Sequence, residues 1–305
     1  MKIRKVIIPV AGLGTRLLPT TKALPKEMLP VGRIPVIQHV VEEMATAGMS
    51  KLLFVTSRSK TIIENQFDNN SAIVRHLDES GRLKALGDFD YQKRGIEFFY
   101  SRQQTAVGSL KPGGTGEAIL AGESFIGDDP FVVAFGDTII RSEAEPTFLQ
   151  RLVAAHAEQG ATITIGVRPV PEDKTSLYGI VQPDISEVLD GRPFRISDII
   201  EKPPLGKAPT NLAVSARYVF SPGIFEEIRS PESGGDAELG ITAAIRSTIE
   251  KGKPVVCVPL NENETRYDIG GHQSYYKAFI DYALADPACG EAIREYIRKL
   301  GETSE

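Results

Sequence analysis

A chain of 305 residues, 41% hydrophobic and 25% charged with no tryptophan, has the balance of a globular protein and length for one large α/β domain or two smaller ones. Its net charge of −5 excludes a general nucleic-acid binder, so any phosphate site must come from local placement of Arg and Lys. Cys257 and Cys289 lack metal-ligand spacing and read as reduced thiols, and with no signal-peptide core and no apolar run near the roughly 20 residues of a membrane span the expectation is cytoplasmic.

Residues 6–10 form a short apolar run suited to a strand buried on both faces. It leads directly into Gly12 and Gly14, where the backbone can turn sharply and expose amides. Thr15, Arg16, Lys22 and Lys26 follow, and donors delivered off a strand end suit a polyanion such as a nucleoside triphosphate. The glycine pair alone would fit a plain tight turn equally well. Prolines at 19, 25, 30 and 35 prevent a long helix from starting at once. Two familiar phosphate loops fail on this run. Leu17 stands where a dinucleotide-binding unit needs its third glycine, and no Gly-Lys-Ser/Thr opens a helix as a Walker A loop requires.

Residues 36–49 read as a helix, with Ile37, Val40, Val41 and Met44 on one stripe and Gly48 at its end. A buried strand over 52–56, a helix over 60–68 and a strand over 96–100 come next, with a polar, Gly-dotted excursion over about 68–95. A loop over 103–114 and a helix over 116–124 lead to the apolar strand 131–135, which ends in Gly136 and Asp137. A helix beginning at Phe148 and a strand over 161–167 complete the alternation. That alternation predicts a Rossmann-like α/β fold, a mainly parallel mixed sheet with helices on both faces. Ligands of such sheets sit beyond the C-terminal strand ends, where the Gly12 loop and Asp137 both fall. After Arg168, strands over 178–182, 194–201 and 213–220 suggest a smaller β extension or second lobe. Helices over 223–229, 240–251 and 273–285 and a strand over 255–259 follow. Ile293, Tyr296, Ile297 and Leu300 make a C-terminal stripe that demands cover from its own domain or from another subunit.

A carboxylate ending an apolar strand is costly unless paired or bound to a cation. Asp137 therefore reads either as a turn or cap residue or as a hard oxygen ligand for Mg²⁺ carried by a triphosphate. Asp268, in Arg-Tyr-Asp-Ile-Gly-Gly, reads alone as a turn residue. Glu201 and Lys202 close a strand pattern on alternating faces and read alone as a solvated pair. His39, His76, His156 and His272 have no metal-ligand spacing, so structural roles are expected. No Ser-His-Asp or Cys-His arrangement is suggested, in keeping with a reaction that needs no enzyme nucleophile.

Val10-Ala-Gly-Leu-Gly-Thr-Arg16 followed by Thr21-Lys-Ala-Leu-Pro-Lys-Glu-Met-Leu-Pro30 resembles the signature of the sugar-1-phosphate nucleotidyltransferases, in particular the bacterial enzymes that use UTP and glucose 1-phosphate. The resemblance continues in order through Arg102-Gln103, Gly114 to Ala118, Asp137, Tyr178-Gly179, Ile200 to Pro203, Asn211 to Ala213, Arg217-Tyr218 and Asp268. It implies a nucleotide-diphospho-sugar transferase fold with a nucleotidyltransferase domain over 1–285, divided near 168 into nucleotide and sugar-phosphate parts, and a C-terminal helix over 286–305. It implies transfer from UTP to α-D-glucose 1-phosphate, giving UDP-glucose and pyrophosphate, with Mg²⁺ as cofactor. Arg16 would hold the β- and γ-phosphates and Lys26 the α-phosphate region, with Asp137 and Asp268 on the metal. Ala11, Gly12, Gly14, Thr15, Gln103, Gly114 and Gly136 would complete the nucleotide site, Gln103 reading the uracil edge. Gly179 would admit the sugar, Glu201 its hydroxyls, and Lys202 would align its phosphate. Small-molecule substrates and a homodimer or homotetramer follow from the same resemblance, with thymidylyl transfer, another sugar 1-phosphate or a non-catalytic regulatory homologue as alternatives.

Three departures bear on selectivity. Gly114-Thr-Gly-Glu-Ala118 stands where the family pattern has Gly-Leu-Gly-His-Ala. Gly136-Asp137-Thr138 replaces Pro-Asp-Val, and Ala216 replaces a glycine before Arg217. These leave the reaction class intact and the base and sugar open.

Overall fold

The computed structural model describes residues 2–68, 71–82, 91, 93–104, 113–184, 191–230 and 240–302. The first half of the chain gives β1 (Lys5–Pro9), the short β2 (Pro30–Val31) and β3 (Ile34–Pro35), α1 (Val36–Thr46), β4 (Lys51–Thr56), α2 (Thr61–Phe67), α3 (Ser71–Glu79) and β5 (Glu97–Arg102). It continues with α4 (Thr115–Leu120), α5 (Glu123–Ile126), β6 (Phe131–Ala134), β7 (Thr138–Ser142) and α6 (Phe148–Glu158). The second half gives β8 (Ile163–Pro169), β9 (Gly179–Pro183), β10 (Phe194–Glu201), β11 (Leu212–Phe220), α7 (Ile224–Arg229) and α8 (Ile241–Glu250). It ends in β12 (Val255–Pro259), β13 (Glu264–Asp268), α9 (His272–Leu284) and α10 (Gly290–Glu302).

Nine strands make one sheet in the order β5-β4-β1-β6-β11-β8-β12-β10-β9. β5, β4, β1 and β6 are parallel, as are β8 and β12, while β11 runs antiparallel between β6 and β8. β10 and β9 continue antiparallel, and Ile180 of β9 also meets Ala213 of β11, so the extension curls back on the sheet. The region after Arg168 thus extends the same sheet.

The apolar runs fill both faces because alternate side chains point to opposite sides. Val6, Ile8, Leu52 and Phe54 pack with Val40, Val41 and Met44 of α1 and with Leu149 and Leu152 of α6. Ile7, Leu53 and Val55 pack on the other face with Ile119 of α4, Ile228 of α7 and Ile245 of α8.

Two local readings change. The helix expected over 116–124 divides into α4 and α5 at Gly122, where the chain passes so close to β1 that a Cβ would lie 2.5 Å from Ile7 Cδ1. β7 and β13 are strands that the sequence pattern did not reveal; they form an antiparallel ribbon outside the main sheet. Of the excursion over 68–95, α3 is described, whereas 69–70, 83–90 and 92 lie outside the described residues, as do 105–112 of the loop before Gly113 and 231–239. On α10, Tyr296, Ile297 and Leu300 are exposed, as are Tyr276, Phe279 and Ile280 of α9. Among the described residues no helix is long and apolar enough to cross a membrane.

Candidate active site

β1 delivers Ala11, Gly12, Gly14 and Thr15 to the rim of the sheet. Gly14 sits at φ +70°, a left-handed conformation that a side chain would strain. Its carbonyl accepts from Leu17 N at 3.0 Å and from Thr21 Oγ1 at 2.8 Å. Leu17, the residue incompatible with a dinucleotide loop, is 2% exposed and ties the loop to a small core with Leu29, Val36 and Ile269. The spaced prolines leave only three-residue 3₁₀ turns, one of them Lys26–Met28, closed by Met28 N donating to Pro25 O at 2.8 Å.

That turn carries Lys26 across the rim to Asp137, with Nζ 2.5 Å from Oδ2. Gly136 makes the approach possible: a Cβ there would lie 2.4 Å from Val10 Cγ1 and 3.1 Å from Ile37 Cδ1. Burial pushes the Asp137 carboxyl up, but the Lys26 ammonium and the Arg266 charge outweigh it, and the net shift is downward. For Lys26, burial acts downward and Asp137, then Glu27, override it, so the ammonium is held above its usual value.

The β7–β13 ribbon brings the second carboxylate alongside. Asp268 pairs with Thr138, and Ile269 N donates to Asp137 O at 2.9 Å. Asp268 Oδ2 accepts from Arg266 Nη2 at 3.1 Å. Arg16 closes over the same spot, since a Cβ on Gly270 would lie 2.7 Å from Asp268 Oδ1 and 2.9 Å from Arg16 Nη2. Arg217, fully buried, supports the turn from below, donating to Thr138 O at 2.8 Å and pairing with Glu43 at 2.6 Å. Neither Arg217 nor Arg266 is marked as a support by its local sequence. Arg266 shares a face with Asp268 through its i−2 spacing, a signal visible only once β13 is known to be a strand.

On the sugar side, Gly179 of β9 lies opposite Glu201 of β10, and a Cβ on it would come within 3.2 Å of Glu201 Oε2. Thr242 Oγ1 donates to the same Glu201 oxygen at 2.8 Å. The strand ends at Glu201, and Lys202 adopts φ +44°. The alternating-face expectation therefore gives way: Lys202 Nζ turns back to 3.4 Å from Glu201 Oε1, with both side chains half or more exposed. Gln103 Nε2 donates to Gly113 O at 2.8 Å and to Gly114 O at 3.2 Å, so its amide nitrogen holds the loop and its oxygen remains for other contacts.

A cleft of about 400 Å³ gathers Ala11, Gly12, Gly14, Thr15, Lys26, Gln103, Gly114 and Asp137. Arg16, Gly136, Asp268 and the Gly179, Glu201 and Lys202 group lie outside its wall. Among the described residues no cluster of three or more His, Cys, Asp or Glu could cage a metal. Two carboxylates at adjacent strand ends, each already holding a cationic side chain, fit a hard cation that keeps water and phosphate oxygens as its other ligands.

Such a sheet and rim define a nucleotide-handling enzyme. The profile of the nucleotidyl transferase family matches residues 5–284, and the chain belongs to that family, whose members commonly use a divalent metal. It is 38% identical over 299 residues to UTP–glucose-1-phosphate uridylyltransferase 2 of Staphylococcus saprophyticus, covering 98% of each chain. A UTP-bound UGPase from Acinetobacter baumannii superposes with a TM-score of 0.87 at 31% identity, covering 98% of this chain and 100% of that one. A UDP-glucose pyrophosphorylase complexed with UDP-glucose gives a TM-score of 0.77 at 32% identity, covering 92% and 98%.

Proposed function

We infer that the chain transfers the uridylyl group of UTP to α-D-glucose 1-phosphate, giving UDP-glucose and pyrophosphate. The observation that carries this is the Lys26–Asp137 contact at 2.5 Å in the wall of a glycine-loop cleft, in a chain 38% identical to a UTP–glucose-1-phosphate uridylyltransferase. A phosphate oxygen of the sugar phosphate attacks the α-phosphorus in line. The bond to the β-phosphate breaks, and pyrophosphate leaves with that electron pair.

Two polyanions repel, so the protein's task is to hold them together and to neutralise charge. In this reading the Gly12–Gly14 amides and Thr15 carry the triphosphate, Arg16 its β- and γ-phosphates, and Lys26 the α-phosphate. Gln103, with Ala11, Gly114 and Gly136, borders the nucleoside. Gly179 admits the sugar at its bare backbone, Glu201 accepts its hydroxyls, and Lys202 aligns its phosphate as a mobile point charge. Asp137 and Asp268 would hold Mg²⁺, which when bound supplies charge neutralisation between the two substrates.

The chain divides near 168 into nucleotide and sugar-phosphate parts, with the C-terminal helix beyond 285. Assembly as a homodimer or homotetramer is supported by the exposed apolar side chains of α9 and α10. Residence in the cytoplasm is supported by the free Cys257 and Cys289.

A matrix of nucleoside triphosphates against sugar 1-phosphates, read by pyrophosphate release, tests the reading. UTP with glucose 1-phosphate is expected to give the highest kcat/KM. Preference for dTTP or for another sugar overturns the named substrates, and no turnover with any pair overturns the reaction.

A further inference from the structure

Charges alternate from the cleft wall inward: Asp137, Lys26 and Glu27 line the cleft, and Lys60 lies behind them. Beyond the Lys26–Asp137 contact, Glu27 is 1% exposed and accepts a hydrogen bond at 2.8 Å from Nζ of Lys60, itself 5% exposed. Glu27 lies in the middle of the Lys26–Met28 turn, and Lys60 immediately precedes α2. Removing both charges from water is costly. An apolar pair of similar volume would fasten the turn to the helix as well or better. Burial pushes the Glu27 carboxyl up and the Lys60 ammonium down, each against the pull of its partner's charge, and a pair kept at that cost calls for a role that needs charge.

That role follows from Glu27's other neighbour. Lys26 and Glu27 are consecutive in one tight turn, and each lies in the other's field. A carboxylate left unpaired there would compete with Asp137 for the Lys26 ammonium. With Lys60 on Glu27 that competition is removed, and the Lys26 ammonium points to the cleft.

We propose that Lys60 is a positioning residue: by neutralising Glu27 it reserves the Lys26 ammonium for Asp137 and the nucleotide phosphates. The proposal rests on the reading of Lys26 as a triphosphate ligand. Neither Lys60 nor Glu27 is assigned a substrate contact.

The test compares wild type with Lys60→Met, the neutral double variant Glu27→Gln/Lys60→Met, and Lys26→Ala. Melting temperature, the UTP dissociation constant by calorimetry, and kcat and KM from pyrophosphate release are measured for each. Lys60→Met is expected to lower kcat about tenfold or more and to weaken UTP binding, because a misdirected ammonium loses transition-state alignment. The double variant is expected to recover both to within about threefold of wild type, the non-additivity that marks a coupled pair. A merely structural pair would shift melting temperature and leave kcat unchanged well below it. A folded Lys60→Met with wild-type kcat and UTP affinity overturns the proposal, as does a folded double variant no better than the single. If the Met variants do not fold, Lys60→Gln and Glu27→Gln/Lys60→Gln make the same comparison. Normal turnover by Lys26→Ala would instead remove the reading of Lys26, an outcome read separately from the Lys60 series.

Discussion

Lys26 and Asp137 meet at 2.5 Å although 111 positions separate them in the chain. Each holds the other ionised against burial. Lys26→Ala and Asp137→Ala are each expected to lower kcat/KM by about 10²–10³ or more, the scale of losing one preorganised electrostatic contact. Both proteins should keep a cooperative melting transition. Pyrophosphate release with Mg²⁺ present, alongside melting curves, checks this. Near-normal turnover by Asp137→Ala would sink its assignment.

Gly136 separates a steric requirement from a chemical one. A Cβ at this position would lie 2.4 Å from Val10 Cγ1, at the root of the glycine loop. Gly136→Ala retains every polar group of the site yet must displace Val10 or the Asp137 turn that packs on it. It is expected to lower kcat about tenfold or more, because displacement of that size disturbs in-line alignment. A crystal structure with unmoved Val10 and unchanged kcat would refute it.

The glycine loop, the prolines and the apolar strands were legible because each is a local signal: turn freedom, ring constraint, alternation across a sheet. The Lys26–Asp137 and Arg217–Glu43 contacts were not, since pairing partners 111 and 174 positions apart leave no local periodicity. β7 and β13 lack a local signature for a related reason. They are short, β13 is polar on one face, and they hydrogen-bond to each other rather than to the main sheet. Without that ribbon Asp137 and Asp268 read as separate turn residues, joined only by resemblance to a family. The left-handed backbone of Lys202 likewise has no cue in its own sequence, where a proline follows.

Ala216 occupies φ +57° at an irregular step of β11 between Val214 and Tyr218. A Cβ there costs about 1–2 kcal/mol, which fits the glycine that the family pattern places at this point. Ala216→Gly relieves that strain but frees the unfolded chain by about 0.4–1 kcal/mol, so stability should stay within about 1 kcal/mol of wild type. Ala216→Val adds a stiff branched side chain to the same backbone and should lose about 2 kcal/mol or more. Urea unfolding of the three proteins decides. A Val variant as stable as the Gly variant would show that the bend relaxes.

His156 predicts a pH effect on stability. Burial pulls its imidazole down to about 4, and its ring nitrogens lie 3.0 Å from Thr164 Oγ1 and 3.5 Å from Ser221 Oγ. Unfolded, it titrates near 6.5, so between those values the unfolded chain binds the extra proton. This contribution to stability is therefore full above pH about 6.5 and declines as pH falls toward about 4, by up to about 3 kcal/mol. His156→Gln should flatten that part of the profile while lowering stability at pH 7. Parallel pH profiles of unfolding free energy for the two proteins would rule the assignment out.

Arg217 grips the Asp137 turn through a fork that lysine cannot reproduce. Nη2 reaches both Thr138 O at 2.8 Å and Glu43 Oε2 at 2.6 Å, while Nε holds Glu43 Oε1 at 2.9 Å. Arg217→Lys keeps the charge, so Glu43 is not left uncompensated, but a point charge cannot serve the carboxylate and the Thr138 carbonyl together. A loss of about 1.5–3 kcal/mol is expected, the range for hydrogen bonds to charged groups. Arg217→Met strands Glu43 and should lose about 3–5 kcal/mol. The two variants separate charge from geometry. If the fork steadies Asp137, Arg217→Lys lowers kcat at a temperature where it is fully folded and raises the Mg²⁺ concentration needed for half-maximal rate. If Arg217 only balances Glu43, Arg217→Lys turns over at the wild-type rate with an unchanged Mg²⁺ requirement.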